Sequence, residues 1–282
     1  MRFKLALFLC LSPLLSFDRS LLFRNLEHHY IESIGESSKV DWTGGYVFAG
    51  ARLNLEHIDP MDREAPGSIT EARIQARERA REMASLALMK AIGSLPYDSR
   101  STIQSRRKKD LELARRLDGI KDHFLIKSSK TGEGYVSLEL ALPFVGPQGL
   151  LRALRPAERE SIPESPADTL SEEITGIIVD TTMTDSFRPS LMPVLYNEAG
   201  LKIYSAGQAG NCLIRRGVAA YYSSLEQARR DLRAGRKPYT FFAVATNGSS
   251  GAVVSQRDAA FLTSAAGRRN LRSCRVIFVV KK

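Results

Sequence analysis

The sequence predicts an α+β fold, with α/β as the close alternative, built from two mixed units. Three observations support this prediction. Strand-like apolar runs alternate with segments of helical periodicity along most of the chain. An acidic stretch rich in proline and serine separates two such series and indicates a linker or an exposed crossing. The 282 residues, 43% hydrophobic and 26% charged, are enough for two modest globular units. The predicted boundaries are a signal peptide at 1–20, an N-terminal tail at 21–38, a first unit at 39–150, the linker at 151–173 and a C-terminal unit at 174–282.

The start of the chain has the pattern of a secretory signal peptide. Arg2 and Lys4 precede a short apolar segment that contains a proline and is too short to span a bilayer. Cys10 follows Leu9, which is bulky where lipid-attachment sites carry a small residue, so export without a lipid anchor is expected. The mature protein is therefore predicted to be periplasmic or otherwise exported.

The net charge of +10 falls only to +8 when Arg2 and Lys4 are removed. In a cell envelope, the acidic partners of a basic protein are lipid headgroups, surface polysaccharide and other proteins. Nucleic acid is not an expected partner there. Peripheral membrane contact and oligomerisation stay open.

The first unit is predicted to contain strands, a long helix and a hairpin, in that order. Residues 39–56 have strand-forming residues interrupted by glycine, which indicates a strand pair or a bent strand. Ser68 and Glu71 form a capping box at the start of a helix that ends near Pro96. Two strand-like runs separated by residues 130–133 predict the hairpin. Small and apolar residues form a ridge along the helix that allows close approach to a sheet: Ala72, Ala76, Ala80, Ala84, Ala87, Leu88, Ala91 and Ile92.

Residues 100–121 are strongly charged and include the consecutive cations Arg106, Arg107, Lys108 and Lys109. A solvated helix or loop with a charged face is the favoured interpretation, because charge runs alone discriminate poorly between functions. The alternative is contact with an anionic surface.

The second unit is predicted as alternating strands and short helices. Ser224 and Gln227 form a capping box, and Gly235 suits the end of that helix. Ser255 is expected to cap a second helix. The predicted strands are the buried runs at 175–180, 239–245 and 274–280, and the predicted helices occupy 223–235 and 255–267.

Candidate catalytic and metal-binding residues are few. His28 and Glu32 are spaced one helical turn apart, which is a weak metal pair. Asp180 follows a buried strand, but no acid, base or nucleophile partner is evident, so a structural role in the following turn is expected. The loop at 246–251 lacks both common phosphate-binding patterns, so a glycine-rich turn is favoured over a phosphate cradle. We therefore expect no enzymatic activity, no metal and no cofactor.

Cys212 and Cys274 are the two cysteines that remain after export. An oxidising compartment allows them to form a disulfide, and two buried thiols are the alternative. A bridge would close a loop of about 60 residues and hold the last strand to the rest of its unit.

The segment Val40-Asp41-Trp42-Thr43-Gly44-Gly45-Tyr46-Val47-Phe48-Ala49-Gly50 and the alanine-ridged helix after it resemble the N-terminal domain of the flagellar assembly protein T group and related surface-lipoprotein families. The second half, with TGIIVD, NEAGLKIY and the terminal CRVIFVV, is similar to exported proteins that couple two such units. This resemblance implies an exported, non-enzymatic component of the envelope, in its most specific form one of a flagellar motor or filament. Its partners would be envelope or flagellar proteins. A binding module for an anionic envelope ligand, acting through residues 106–109, is the alternative function.

Overall fold

The computed structural model describes residues 29–55, 69–155, 160–163 and 173–282, and it confirms the α+β class. The predicted signal peptide, Cys10, His28 and Ser68 lie outside these residues. Within the described ranges, none of the helices combines the length and the apolar character needed to cross a bilayer.

The first unit contains a five-stranded antiparallel sheet in the order β1-β2-β3-β5-β4. The predicted strand pair and the predicted hairpin are both present in it, so the sheet joins chain segments that flank the long helix. Its strands are β1 (Ile31–Ser33), β2 (Ser38–Asp41), β3 (Tyr46–Asn54), β4 (Leu125–Thr131) and β5 (Tyr135–Pro143).

Helix α1 (Ile69–Ser94) packs across β3 and β5, as its alanine ridge predicts. Small side chains let the helix backbone lie close to the sheet, and charged residues occupy the opposite face. The buried members of the ridge are Ala76, Ala80, Ala84, Leu88, Ala91 and Ile92.

The charged segment after α1 folds into helix α2 (Ile103–Arg107), helix α3 (Leu111–Asp118) and a 3₁₀ turn at Gly119–His123. One apolar face of this segment is buried, through Ile103, Leu113, Leu117 and Ile120, and its cations point outward. This arrangement agrees with the favoured interpretation of a helix that exposes a charged face.

Parts of the predicted linker are packed rather than exposed. Helix α4 (Leu150–Leu154) buries its three leucines, and Ile162 is also buried. Glu160 forms an ion pair with Lys202, at 3.0 Å between Oε2 and Nζ. The proline and acidic content suggested a linker, but helix α4 packs against helix α3 of the first unit and against the helix Cys212–Arg216 of the second.

The second unit contains a four-stranded sheet in which every described pairing is parallel, in the order β10-β6-β13-β9. Its two central strands are buried along their whole length, as their continuous apolar sequences predict. The run at 239–245 was expected to be one buried strand, but it is divided. Pro238–Phe242 form an edge strand of this sheet with Phe242 exposed, and Ala245 begins a strand of another sheet. The strands are β6 (Gly176–Asp180), β9 (Ala220–Tyr222), β10 (Pro238–Phe242) and β13 (Val276–Val279).

A second four-stranded sheet has the order β11-β12-β7-β8. The loop at 246–251 joins two antiparallel strands of this sheet, so it is a hairpin turn and does not lead into a helix. The position before a helix, on which the phosphate-cradle alternative depended, is therefore wrong, and the loop is a turn that contains glycine. The strands are β7 (Val194–Asn197), β8 (Lys202–Tyr204), β11 (Ala245–Asn247) and β12 (Gly251–Val254).

The helices of the second unit are shorter than the sequence predicts. The helix expected to reach Gly235 ends at Arg230, because the Asp231 carboxylate accepts hydrogen bonds from Arg233 N at 2.6 Å and from the Tyr222 hydroxyl at 2.5 Å. The helix expected at 255–267 is two helices, since Ser264 caps a new one. The five are α5 (Ala206–Ala209), α6 (Cys212–Arg216), α7 (Leu225–Arg230), α8 (Gln256–Leu262) and α9 (Ala265–Arg272).

One continuous cluster of buried apolar side chains extends through both units. Residues of α1 and β5 belong to it together with residues of β6, β13 and α9. The two units therefore share a core. The candidate site described below lies where they meet.

Candidate functional site

The site begins at a tight turn between β2 and β3, residues 41–45, which we call the Trp42 turn. The Asp41 carboxylate accepts a hydrogen bond from Gly44 N at 2.7 Å, and the Asp41 carbonyl accepts one from Gly45 N at 2.8 Å. A Cβ atom on Gly44 would lie 2.4 Å from Asp41 Oδ2, so a glycine is needed there. Gly45 has a φ of +70°, which favours glycine for a different reason.

Polar side chains of the neighbouring strand fix the turn. His29 Nδ1 lies 2.7 Å from Asp41 Oδ2. The indole of Trp42 donates to Glu32 Oε2 at 2.5 Å, and the Tyr30 hydroxyl donates to Glu32 Oε1 at 3.2 Å. Glu32 is on a strand and its carboxylate is occupied, so the helical spacing assumed for a His28–Glu32 metal pair is wrong. The described ranges hold no group of three or more side chains suited to a metal ion.

The Trp42 turn contacts strand β9 of the second unit. Thr43 Oγ1 donates to the Tyr221 carbonyl at 2.6 Å and accepts from Tyr30 N at 2.9 Å. The Trp42 ring lies 5.7 Å from the Tyr221 ring in an edge-on arrangement and 5.6 Å from Phe144. Because β9 is at the edge of the parallel sheet, the turn covers a strand that would otherwise be open on that side.

Tyr221 connects this contact to the interior of the second unit. Its hydroxyl donates to the Ser190 carbonyl at 2.7 Å and accepts from Ser190 N at 3.2 Å. Its ring stacks on Phe278 of β13 at 5.7 Å. Burial raises the pKa of Tyr221 above its ordinary value, so the hydroxyl stays a neutral donor at physiological pH.

A cavity of about 110 Å³ lies where the two units meet. One wall is the Trp42 turn with Phe144 and Leu151, and the other comprises residues 216–221 with Ser190. Arg233 also lines it. The guanidinium of Arg233 donates to the carbonyls of Arg216 and Val276, the latter at 3.5 Å. Burial lowers the pKa of this guanidinium, and the nearby Asp231 acts in the opposite direction.

Asp180, the carboxylate considered as a catalytic candidate from the sequence, does not line this cavity. Asp180 Oδ1 accepts from the backbone N of Thr182 at 3.0 Å and from its hydroxyl at 2.6 Å, which is the structural role expected for it. No side chain in the described ranges forms a hydrogen bond to Asp180 other than that of Thr182, so the carboxylate closes a turn.

The basic stretch is partly neutralised by neighbouring acids. Arg106 pairs with Asp98 at 3.3 Å, and Arg107 pairs with Asp118 at 2.5 Å. Lys108 and Lys109 are exposed, and in the described part of the chain neither forms an ion pair. The four cations are therefore not equivalent, which the sequence could not indicate.

Cys212 and Cys274 are joined in a disulfide with their Cα atoms 5.9 Å apart. Cys212 begins α6, whereas Cys274 follows α9 instead of opening the last strand as expected. Cys274 has a φ of +52°, and its N–H donates to the Leu271 carbonyl at 2.9 Å while Arg275 N donates to Asn270 O at 3.0 Å. These bonds form a Schellman motif, in which glycine usually occupies the position that Cys274 has here.

The sequence does not predict the cavity between the units, because the residues that line it are far apart along the chain. Trp42, Ser190, Tyr221 and Arg233 carry no common motif, and only tertiary packing brings them together. The glycine pair after Trp42 was the one available signal, since it indicated a tight turn.

The described residues form two α+β units that share a core: the first has an antiparallel sheet, and the second has a parallel sheet and a mixed one. Residues 176–282, from β6 to the end of the sequence, match a family described as the second domain of Treponema pallidum Tp0624. This part of the chain is thus similar to that domain. A search of curated proteins finds no match.

Proposed function

We propose that this protein is an exported, non-enzymatic component of the cell envelope that acts through contacts with other proteins. The most specific form of this proposal is a structural or assembly role around a flagellar motor or filament. It rests on the resemblance of residues 40–50 and α1 to the N-terminal domain of the flagellar assembly protein T group. The Cys212–Cys274 bridge is the observation that carries the exported setting. Structural disulfides persist in oxidising compartments and are rare in reducing ones.

Two exposed apolar side chains support a role in protein contact. Met83 and Leu86 are 49% and 65% exposed and lie three residues apart on the outward side of α1. Residues at this spacing are neighbours on a helix surface, so together they present an apolar spot among charged residues. Because α1 is held by its ridge on the sheet, this spot is on a rigid element.

Export is tested by fractionating cells that produce the tagged protein with and without residues 2–20. The chain produced with residues 2–20 should appear outside the cytoplasm, cleaved of its signal peptide and therefore of Cys10, with no free thiols. The truncated chain should stay inside. Full-length protein found only in the cytoplasm would contradict the exported setting.

Protein contact is tested by crosslinking intact envelopes and recovering the tagged protein. Envelope or flagellar proteins should be recovered with the wild type and reduced with Met83→Glu/Leu86→Glu. A matched control is Glu78→Lys/Glu82→Lys, which alters charge on the exposed side of the same helix. Recovery of no envelope component with the wild type would count against the proposal.

A second candidate function is binding of an anionic envelope ligand through the basic stretch. The exposed and unpaired Lys108 and Lys109 favour it, whereas the pairing of Arg106 and Arg107 reduces the available charge. Lys108→Glu/Lys109→Glu should abolish binding to anionic vesicles if this function holds, and Arg229→Glu/Arg230→Glu serves as a control in the second unit. Equal vesicle binding by both variants would remove the candidate.

A further inference from the structure

A partly buried cation, Arg233, lines the cavity between the units. Arg233 donates to two backbone carbonyls, and no carboxylate in the described residues forms an ion pair with it. The nearest acid, Asp231, is occupied by the Tyr222 hydroxyl and by Arg233 N. A guanidinium has five N–H donors, so most of its hydrogen-bonding capacity is left for another partner.

Ser190 is a second polar residue that lines the same cavity. Ser190 is 1% exposed, and its Oγ forms no hydrogen bond with the described part of the chain. The backbone N and O of Ser190 are both bonded to Tyr221, which holds the residue in place. A fixed, buried and unpaired hydroxyl is unusual in folded proteins and calls for a partner such as a water or a ligand.

The remaining walls are largely apolar. Trp42, Phe144, Val145, Leu151 and Leu191 surround a volume of about 110 Å³, which is enough for only a few non-hydrogen atoms. The exposed Arg216 also lines the cavity, and Asp231 acts on Arg233 with the opposite charge. Two cations and one acid leave one net positive charge, which a single negative charge balances, whereas a dianion would leave an excess charge in apolar surroundings. A planar carboxylate also fits the fork of a guanidinium.

We propose that this cavity is a binding site for a small aliphatic monocarboxylate. Arg233 pairs with the carboxylate, Ser190 donates its hydroxyl to a carboxylate oxygen, and the short alkyl chain packs between Trp42 and Leu151. This site is separate from α1 and from the basic stretch, so the proposal does not depend on the proposed function.

Trp42 is the only tryptophan in the sequence, so its fluorescence reports directly on the cavity. The oxidised mature protein is titrated with sodium acetate, propionate or butyrate at an ionic strength kept constant with sodium chloride. We expect a saturable change in emission, with Kd falling about three- to fourfold for each added methylene group. Inorganic phosphate should bind more weakly than butyrate.

Two variants and a control identify the residues. Arg233→Gln should weaken butyrate binding at least about tenfold, because a hydrogen-bonded charge pair is lost. Ser190→Ala should weaken it by about fivefold. Arg236→Gln, which alters an exposed arginine nearby in sequence, should bind as the wild type does.

Three outcomes would overturn the proposal: no saturable change in the wild type, unchanged affinity in both Arg233→Gln and Ser190→Ala, or tighter binding of phosphate than of butyrate. The first outcome indicates that only water occupies the cavity. If circular dichroism shows that Arg233→Gln does not fold, Ser190→Ala decides alone, since it removes only a hydroxyl that forms no hydrogen bond with the described residues.

Discussion

Individual atoms at the Trp42 turn explain why the two units meet as they do. Asp41 is 1% exposed, and its carboxylate bonds Gly44 N and His29 in a space that leaves no room for a side chain on Gly44. The turn in turn places Thr43 against the Tyr221 carbonyl. Adding one methyl group to Gly44 should therefore disturb the contact between the two units.

We expect Gly44→Ala to lower the free energy of unfolding by about 1–3 kcal/mol, because the added Cβ must displace the buried Asp41 carboxylate. Urea unfolding followed by Trp42 fluorescence measures it. Gly134→Ala is the matched control, since no atom lies within 4 Å of its added Cβ. Equal stability of the two variants would show that the Asp41 contact does not constrain the turn.

Tyr239 gives the protein a dependence on alkaline pH. Its hydroxyl donates to Asp258 at 2.7 Å and its ring stacks on Phe261 at 3.9 Å. Burial, together with the Asp258 carboxylate, raises the pKa of Tyr239 from 10.0 to about 12. The folded state then holds the proton more tightly than the unfolded state, so this contribution to stability is intact below pH 10 and is lost as the pH rises toward 12.

Tyr239→Phe removes that titration and should reduce the loss of stability between pH 10 and pH 12. The comparison uses urea midpoints of wild type and variant across this range. Burial also raises the pKa of Tyr204 and of Tyr221, so the variant keeps part of the alkaline sensitivity. Parallel curves for the two proteins would contradict the assignment to Tyr239.

Among the elements, α1 depends on small side chains rather than on large ones. Ala76, Ala80 and Ala84 are fully buried against the sheet. A larger side chain at such a position cannot be accommodated without moving the helix, because protein interiors are closely packed.

We expect Ala80→Leu to destabilise the protein by about 1–3 kcal/mol through overpacking. Glu82→Leu adds the same side chain on the exposed side of the helix and should change stability by less than about 0.5 kcal/mol. Chemical denaturation measures both variants. If they behave alike, helix propensity rather than close packing governs this position.

Across the whole molecule, the disulfide and the shared core act together. The bridge spans 62 residues of sequence and holds α6 against the turn that leads into β13, a central strand of the parallel sheet. The same core cluster contains both cysteines and residues of the first unit. Removing the disulfide should therefore lower the stability of the first unit as well as that of the second.

The double variant Cys212→Ala/Cys274→Ala is expected to lose about 2–4 kcal/mol of stability, within the upper figure of about 4 kcal/mol from loop closure. Reduced wild type should behave like the variant, and mass spectrometry of the unreduced wild type should detect no free thiols. Two free thiols in the unreduced mature protein would rule the bridge out.

The sequence alone determined the α+β class, helix α1 with its buried ridge, the hairpin of β4 and β5, and the buried strands β6 and β13. Each of these follows from a local pattern: a period of about four residues, a turn between two alternating runs, or a continuous apolar run. The structural role of Asp180 was also readable, since a threonine two residues away can satisfy its carboxylate.

Tertiary structure alone decided where the shorter elements end and where the units meet. The sequence could not show that Asp231 would stop α7, that Cys274 would take the place of a glycine after α9, or that the leucines of α4 would be buried. Two of these features depend on partners distant in sequence: Cys212 for Cys274, and α6 of the second unit for α4. Asp231 is bonded by the nearby Tyr222 and Arg233, whose arrangement no local pattern predicts. The same reason hid the cavity, because Arg233, Ser190 and the Trp42 turn meet only when both units fold onto one core.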